Sequence, residues 1–286
     1  MSTMLPETID LLHLGQAKAM GAHWFDGVVV DPGAESSLER LLEVLGDRVP
    51  DRILLTHIHF DHAGSAGALV ERFPDVEVWV HERGAKHLVD PTRLVRSART
   101  IYGDEFDTLW GRVVPVPERN LRVLSGGERI GPWRVAYTPG HAQHHVSYLH
   151  EDTGVAFVGD VAGVRWDGGP TLPPTPPPDI DVPRWHGSLD LIASWDPAAL
   201  AFMHFGTSTD AQAQIAELHE TLELFSSTAR RTDAEGLAAT VRAWVLARAG
   251  DAGLETFERV GAFEGHHAGL ARYWAQAAER ARPSGG

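Results

Sequence analysis

The chain of 286 residues contains no cysteine, and its 39 Asp and Glu residues outnumber its 25 Lys and Arg residues, which gives a formal net charge of −14 at pH 7. The absence of cysteine excludes disulfides, thiolate metal ligands and a cysteine nucleophile. The acidic balance argues against a nucleic-acid partner, which would normally bind through clustered Lys and Arg.

The first residues of the chain do not show the pattern that is typical of a targeting signal. Residues 1–7 lack a basic stretch followed by an apolar one, and no later run is long enough to span a bilayer. We therefore expect a cytoplasmic protein without a membrane partner. The length exceeds the usual single-domain range, although an α/β protein of this size can remain one domain.

The first predicted strand covers residues 27–30 and ends in the turn Asp31-Pro32-Gly33. Asp-Pro-Gly is a strong turn former, so Asp31 can be explained by the turn alone. Leucines at helical spacing over residues 38–45 predict a helix that starts after the cap signal Ser36-Ser37 and ends at Gly46.

The segment 56–62 holds four potential metal ligands, and it follows the apolar run 53–55 directly. In an extended segment side chains alternate between faces, so His57, His59 and Asp61 are expected to point to one side. His62 would begin the next helix, which Pro74 ends. A histidine-rich surface loop is the alternative, but this density of nitrogen and oxygen ligands favours a metal site.

Three further polar residues lie where predicted strands end. His141 follows the strand 133–137, Asp160 ends the run 155–160, and His204 ends the run 200–204. Each one alone would be an ordinary loop residue. Because strand ends at one sheet edge converge, these residues could join the cluster at 57–62 in a site for more than one metal ion.

The order of these residues resembles that of the metallo-β-lactamase superfamily, over roughly residues 9–206. Its pattern is His-x-His-x-Asp-His, then a distant His, an Asp after Gly, and a final His. The resemblance implies that His57, His59 and His141 hold a first metal ion, that Asp61, His62 and His204 hold a second, and that Asp160 bridges them. It further implies supporting roles outside the ligand set for Asp31 and for His145, which lies four positions after His141, and it leaves His144 open.

The expected fold class is α/β, a four-layer αβ/βα sandwich of the metallo-β-lactamase type. Residues 1–206 would form the catalytic domain, with a helical insert at about 82–112 and a proline-rich loop at about 168–183. Residues 207–286 would form a helical extension packed on that domain, because apolar residues recur at helical spacing there.

The insert and the proline-rich loop both bear on the expected pocket. Pro91 breaks the insert, and Arg93, Arg96 and Arg99 share one helical face that either grips a substrate anion or is solvated. Tyr102 could donate to an oxyanion, or it is simply packed. The proline-rich loop, flanked by Trp166 and Trp185, would be extended and either covers the pocket or connects surface elements.

Two divalent ions about 3.5 to 4 Å apart can supply hydroxide near neutral pH and polarise the attacked carbonyl. The sequence therefore predicts a dinuclear metal-dependent hydrolase that attacks a small ester, thioester or lactone with a metal-bound hydroxide, as in the glyoxalase II-like and lactonase-like branches that it resembles. Asp61 would be the catalytic residue that orients the hydroxide and takes its proton. Zinc is the expected metal, with iron or manganese as alternatives.

Other functions stay open at this stage. A phosphodiesterase could use the same metals, and a mononuclear iron persulfide dioxygenase resembles the same branch. A β-lactamase would be expected to carry an export signal, and a non-catalytic metal-binding module would have no chemical reason to keep Asp61 and Asp160 together. The expected partner is a small-molecule substrate, with a homo-oligomer possible, and the sequence names no substrate-binding residue.

Overall fold

The computed structural model describes residues 4–260, 263 and 265–281. Within these residues the strands form two six-stranded sheets. The first sheet runs in sequence order through β1 (Glu7–Asp10), β2 (Gly21–Phe25), β3 (Val28–Val30), β4 (Arg52–Leu54), β5 (Glu77–His81) and β6 (Leu121–Leu124). The second sheet contains, in the reverse of sequence order, β12 (Gly206–Ser208), β11 (Ala199–Phe202), β10 (Val155–Phe157), β9 (Val146–His150), β8 (Trp133–Tyr137) and β7 (Arg129–Ile130).

Helices connect and follow these strands. The helices before the second sheet are α1 (Leu38–Leu45), α2 (Phe60–Ala63), α3 (Ala66–Arg72), α4 (Glu82–Val89), α5 (Thr92–Tyr102) and α6 (Phe106–Trp110). The later ones are α7 (Val182–Ala193), α8 (Ala211–Ala229), α9 (Ala234–Val260) and α10 (Gly265–Arg280), and α9 is interrupted at Gly250. In the described part of the chain, no helix is both long enough and apolar enough for a membrane span.

Side chains along the central strands alternate between two apolar cores, one between the sheets and one between each sheet and its helices. Val28 and Val30 of β3 lie in the apolar core between the sheets, whereas Val29 belongs to the core between the first sheet and its helices. In the same way, Phe157 of β10 points between the sheets and Ala156 points toward the helices on the second sheet. Strands buried on both faces give a helix–sheet–sheet–helix sandwich, which confirms the predicted fold class.

The parallel strands place several loops at one edge of the sandwich. β3 pairs in parallel with β4, and β10 pairs in parallel with β11. Asp31 follows β3, the segment 57–62 follows β4, Asp160 follows β10 and His204 follows β11. The carboxyl ends of parallel strands in a sheet meet at the same edge, which is where such folds place their sites.

The helices beyond residue 207 pack against the second sheet. Their buried apolar residues share a core with α7, as the helical spacing predicts. The core members from α8, α9 and α10 include Ile215, Leu218, Leu222, Phe225, Leu237, Val241, Val245 and Leu270. Helices α4 to α6 stand where the insert is predicted, and Phe106 and Ala98 pack there with Phe60 in a small separate core.

Two local predictions were wrong. The Ser37 hydroxyl does not cap α1, because it contacts the Nδ1 of His13 at 3.1 Å. The helix expected to begin at His62 starts instead at Phe60 and stops at Ala63, so Asp61 lies in a helical turn and not on an extended segment. At the break between α2 and α3, the Ser65 hydroxyl lies 2.9 Å from the Gly33 carbonyl oxygen and 3.1 Å from that of Pro32, which ties the chain to the β3 turn.

Candidate metal centre

Three predicted ligands, His57, His59 and His141, form a first cluster. The Nδ1 of His59 lies 2.9 Å from the Nε2 of His57 and 3.1 Å from the Nε2 of His141. Their candidate ligand atoms all lie within 4.8 Å of one another. Three imidazole nitrogens that face one another in this way match the donor set of a nitrogen-rich metal site.

The remaining predicted ligands, Asp61, His62, Asp160 and His204, form a second cluster, again with ligand atoms within 4.8 Å. The Nε2 of His204 lies 3.3 Å from Asp61 Oδ2, and the Nε2 of His62 lies 3.6 Å from the same oxygen. The Asp61 side chain is 21% exposed whereas that of Asp160 is 5% exposed. Of these two carboxylates, Asp61 is thus the one more accessible to a molecule entering the site.

Asp160 lies between the two clusters. Its Oδ1 is 3.3 Å from His62 Nε2 in the second cluster, and its Oδ2 is 3.5 Å from His141 Nε2 in the first. The preceding residue, Gly159, has φ 46°, and a Cβ there would lie 2.3 Å from Thr56 Oγ1. Only glycine therefore lets this strand end approach the segment 56–62 closely enough to place Asp160 between the clusters.

Asp31 orients two parts of the ligand segment. Its Oδ1 accepts the backbone N–H of Thr56 at 2.8 Å, and its Oδ2 accepts the Thr56 hydroxyl at 2.7 Å and His62 Nδ1–H at 2.9 Å. Thr56 in turn accepts from His57 Nδ1 at 3.1 Å. Sequence reasoning overlooked Thr56, although its position directly before His57 was a usable signal. Because His57 and His62 form these hydrogen bonds through Nδ1, their Nε2 atoms are left facing the two ligand clusters.

Backbone carbonyls orient two of the other histidines. His141 donates from Nδ1 to the carbonyl oxygen of Pro174 at 2.9 Å, and His204 donates from Nδ1 to the carbonyl oxygen of Ala19 at 2.7 Å. Each contact again turns Nε2 toward the clusters. Every residue has a backbone carbonyl. The sequence therefore carries no signal that would identify Ala19 and Pro174 as these partners.

His145 and His144 both lie beside His57 and make no hydrogen bond to a predicted ligand's side chain among the described residues. The His145 ring stacks on that of His57 with centroids 5.1 Å apart, and its Nδ1 contacts the Thr138 hydroxyl at 3.0 Å. His144 stacks at 6.0 Å, and its Nδ1 accepts the N–H of Ile58 at 3.3 Å. His145 thus supports the ligand segment by packing, and His144 does so by packing and by this hydrogen bond.

The charges differ between the clusters. Burial, together with the neighbouring histidines, lowers the pKa of His57 well below its ordinary value, and burial lowers that of His141 to about 4. Burial also opposes charge on His62, but Asp160 and Asp61 outweigh it and raise the pKa of His62 well above its ordinary value. The first cluster therefore holds neutral imidazoles, whereas the second must lose a proton before its imidazoles can bind a cation.

Buried polar atoms without a hydrogen-bond partner also indicate that these residues fit a bound metal. The Nε2 of His62 and the Oδ1 of Asp160 are buried, and neither has a hydrogen-bond partner among the described residues. Leaving a buried polar atom without a partner costs free energy, so such atoms need an explanation. A cation bound by His62 Nε2 and Asp160 Oδ1 provides one, because a metal ion takes the place of the hydrogen bond.

A cavity of about 480 Å³ opens above both clusters. Helix α5 forms one wall with Leu94, Ile101 and Tyr102, and the proline-rich segment forms another with Pro174 and residues 176–178. Trp166 lines the cavity as well, whereas Trp185 is buried beneath and donates from Nε1 to the Val161 carbonyl. The proline-rich segment thus walls the pocket, and the alternative of a surface connector was wrong.

The arginines of the insert do not take part. Arg93, Arg96 and Arg99 are exposed on α5, and none of them lines the cavity. Arg99 pairs with Asp107 and lies over the ring of Phe106. Of the two interpretations of this basic face, the solvated one agrees with the structure.

Several curated proteins are similar to this chain in sequence. A curated relative, the metallo-beta-lactamase fold-containing protein ST1585 of Sulfurisphaera tokodaii, is 31% identical over 63% of this chain and 68% of the relative. The hydroxyacylglutathione hydrolase of Aeromonas hydrophila is 34% identical over 46% of this chain and 41% of the relative. For seven other curated relatives, the match covers only 41% to 64% of the relative's own length.

Solved structures agree on the fold. The crystal structure of ST1585 from Sulfolobus tokodaii has a TM-score of 0.65 and 26% identity, covering 78% of this chain and 87% of its own. The structure of TTHA1623 in a di-iron-bound form has a TM-score of 0.54 and 25% identity, covering 75% and 98%. The family model described as metallo-beta-lactamase superfamily matches residues 26–204. The chain therefore belongs to the metallo-β-lactamase superfamily, whose members are mostly metal-dependent hydrolases.

Proposed function

We propose that this protein is a dinuclear metal-dependent hydrolase of small esters, thioesters or lactones. The observation that supports it most is the position of Asp160, whose two carboxylate oxygens face two separate ligand clusters. Several relatives are named hydroxyacylglutathione hydrolase, a name that describes hydrolysis of a thioester. These names support the proposed reaction class.

His57, His59 and His141 would hold the first ion, Asp61, His62 and His204 the second, and Asp160 would contact both. The donors are all nitrogen and oxygen, which suits zinc, iron or manganese. We propose zinc as the metal, while the di-iron form of TTHA1623 supports iron as the main alternative. Two such ions supply a nucleophile from water near neutral pH and polarise the carbonyl under attack.

The protein groups around the ions have separate tasks. Asp61 is the more accessible carboxylate, and the positive charge of His62 and His204 outweighs burial and keeps the pKa of Asp61 below its ordinary value. That positive charge on the two histidines belongs to the metal-free protein, and a bound cation would favour the same ionised form of Asp61. Asp61 would thus be ionised at neutral pH and able to orient a nucleophilic water and accept its proton. Asp31 holds His62 and Thr56, the Pro174 carbonyl holds His141, and the apolar cavity walls would pack against the bound substrate.

Hydrolysis assays on metal-loaded protein test the proposal. Protein stripped with a chelator and reloaded with zinc, iron or manganese would be assayed against thioesters, lactones and phosphodiesters, with metal content measured in the same samples. We expect thioester or lactone hydrolysis that requires metal and is lost in His59→Ala. Hydrolysis of phosphodiesters alone, or oxygen consumption with a persulfide in place of hydrolysis, would contradict the proposal.

A further inference from the structure

We infer that the cavity above the metal centre selects substrates with an uncharged, largely apolar acyl group, and that it disfavours glutathione thioesters. The inference rests on the proposed hydrolase function and specifies the substrate class of that same site. It separates this chain from the relatives whose names specify a glutathione conjugate.

The cavity walls are apolar on the sides away from the metal ligands. Leu94 and Ile101 come from α5, Trp110 from α6, Trp166 from the segment after Asp160, and residues 176–178 are all proline. Ile101 is 67% exposed, although it is a large aliphatic residue at the cavity rim. An apolar acyl group that covered these side chains would remove both surfaces from water, which stabilises the complex.

The described walls of the cavity offer no permanently cationic side chain. Among the described residues that line the cavity, none is Lys or Arg. Among the described lining residues, Asp179 is the one carboxylate outside the metal ligands, and it accepts from the side-chain amide and the backbone N–H of Gln143. The exposed arginines Arg93, Arg96 and Arg99 of α5 lie outside the cavity lining. A glutathione moiety carries two carboxylates, and proteins usually bind carboxylates through Arg or Lys, so this cavity offers the peptide no such partner, and Asp179 disfavours its negative charge.

The walls are held in place by the rest of the chain. On the proline-rich side, the Thr175 hydroxyl donates to the carbonyl oxygen of His266, and His266 donates from Nδ1 to the carbonyl oxygen of Pro173. On the insert side, Tyr102 and Trp110 pack edge to face with centroids 5.4 Å apart. A cavity with fixed walls and a volume of about 480 Å³ is in the range that binds small molecules, and it discriminates by size as well as by polarity.

A thioester panel tests the acyl preference on the metal-loaded protein. N-acetylcysteamine thioesters of acetate, butanoate, hexanoate and octanoate would be compared with the glutathione thioesters of the same acids. Each buried methylene should raise kcat/KM by about fourfold until the cavity is filled, and each glutathione thioester should be at least tenfold slower than its N-acetylcysteamine counterpart. A kcat/KM independent of acyl length, or a preference for glutathione, would overturn the inference while leaving the hydrolase proposal intact.

A binding measurement decides the inference even if no thioester is hydrolysed. Calorimetry on the metal-loaded protein would compare octanamide with S-methylglutathione, neither of which presents a scissile thioester. We expect octanamide to bind at least tenfold more tightly. Tighter binding of S-methylglutathione would refute the apolar selection, whereas octanamide binding without hydrolysis of any ester would refute only the proposed reaction.

A charge introduced at the cavity rim gives the most specific test. Ile101→Arg should accept an acyl group that ends in a carboxylate, so the ratio of kcat/KM for the butanoyl to the succinyl thioester should fall at least tenfold. Val123→Arg is the matched control, because Val123 is also a large exposed aliphatic residue, at 54%, but lies on β6 outside the cavity lining. Equal ratios in the two variants would show that Ile101 does not contact the acyl group.

Discussion

His141 donates its Nδ1–H to the carbonyl oxygen of Pro174, 2.9 Å away, so the orientation of one predicted metal ligand depends on the proline-rich segment. That segment is held from its other side by α10. A Cβ placed on Gly269 of α10 would lie 2.2 Å from the carbonyl oxygen of Thr175. The close approach links the helical extension to the first ligand cluster through one loop.

Gly269→Ala should therefore push the proline-rich segment away from α10 and disturb His141. We expect a loss of about 1 to 3 kcal/mol in the free energy of unfolding, as for other overpacked sites, together with weaker metal binding in the first cluster. Urea unfolding and metal content after dialysis would measure the two effects.

Gly187→Ala is the matched control, because it adds the same methyl group to another helix, α7, where nothing lies within 4 Å of the added Cβ. There the substitution should stabilise the protein by up to about 1 kcal/mol and leave metal binding unchanged. Similar behaviour of the two variants would show that α10 does not support the metal site.

The ligand residues were accessible to sequence reasoning because each one follows an apolar strand, and parallel strands bring their ends together. The partners of those ligands were less accessible. The carbonyl groups of Ala19 and Pro174 carry no residue signature, and the hydrogen bond from Thr175 to His266 joins positions 91 residues apart. Helical spacing predicted the insert, yet it could not tell which face of α5 would meet the cavity, since that depends on how the helix packs.

Asp160→Ala should reduce metal binding at both clusters, whereas His204→Ala should mainly weaken the second. The physical reason is that the two oxygens of Asp160 face different clusters, while His204 belongs to the second cluster. Metal titrations of each variant, followed by elemental analysis, would measure the loss. If both variants lost metal in the same proportion, the bridging position assigned to Asp160 would be wrong.

Asp61→Asn separates catalysis from metal binding. The amide keeps the size and one oxygen of the carboxylate but cannot accept a proton as a base, so kcat should fall by about 10²-fold or more while KM changes little. Steady-state kinetics on the best thioester, with metal content determined in the same sample, would measure this. If the variant had full metal content and the wild-type kcat, Asp61 would be a metal ligand and not a catalytic base.

The stability of the metal-free protein should fall as the pH decreases from about 6.5 to about 4, in part through His23. Burial lowers the pKa of His23 to about 4 in the folded protein, below its ordinary value of 6.5. In this window the unfolded chain binds more protons than the folded one, so protonation favours unfolding. Urea unfolding of wild type and His23→Gln should show a shallower pH slope in the variant, by at most about 1.4 kcal/mol per pH unit. Parallel slopes would contradict the assignment.

The most direct test of the two-metal site is a crystal structure of the metal-loaded protein, with diffraction recorded at the absorption edge of the bound metal. We predict two anomalous peaks, one among His57, His59 and His141 and the other among Asp61, His62 and His204, with Asp160 in contact with both. A single peak confined to the first cluster, in crystals grown with excess metal, would contradict the dinuclear centre.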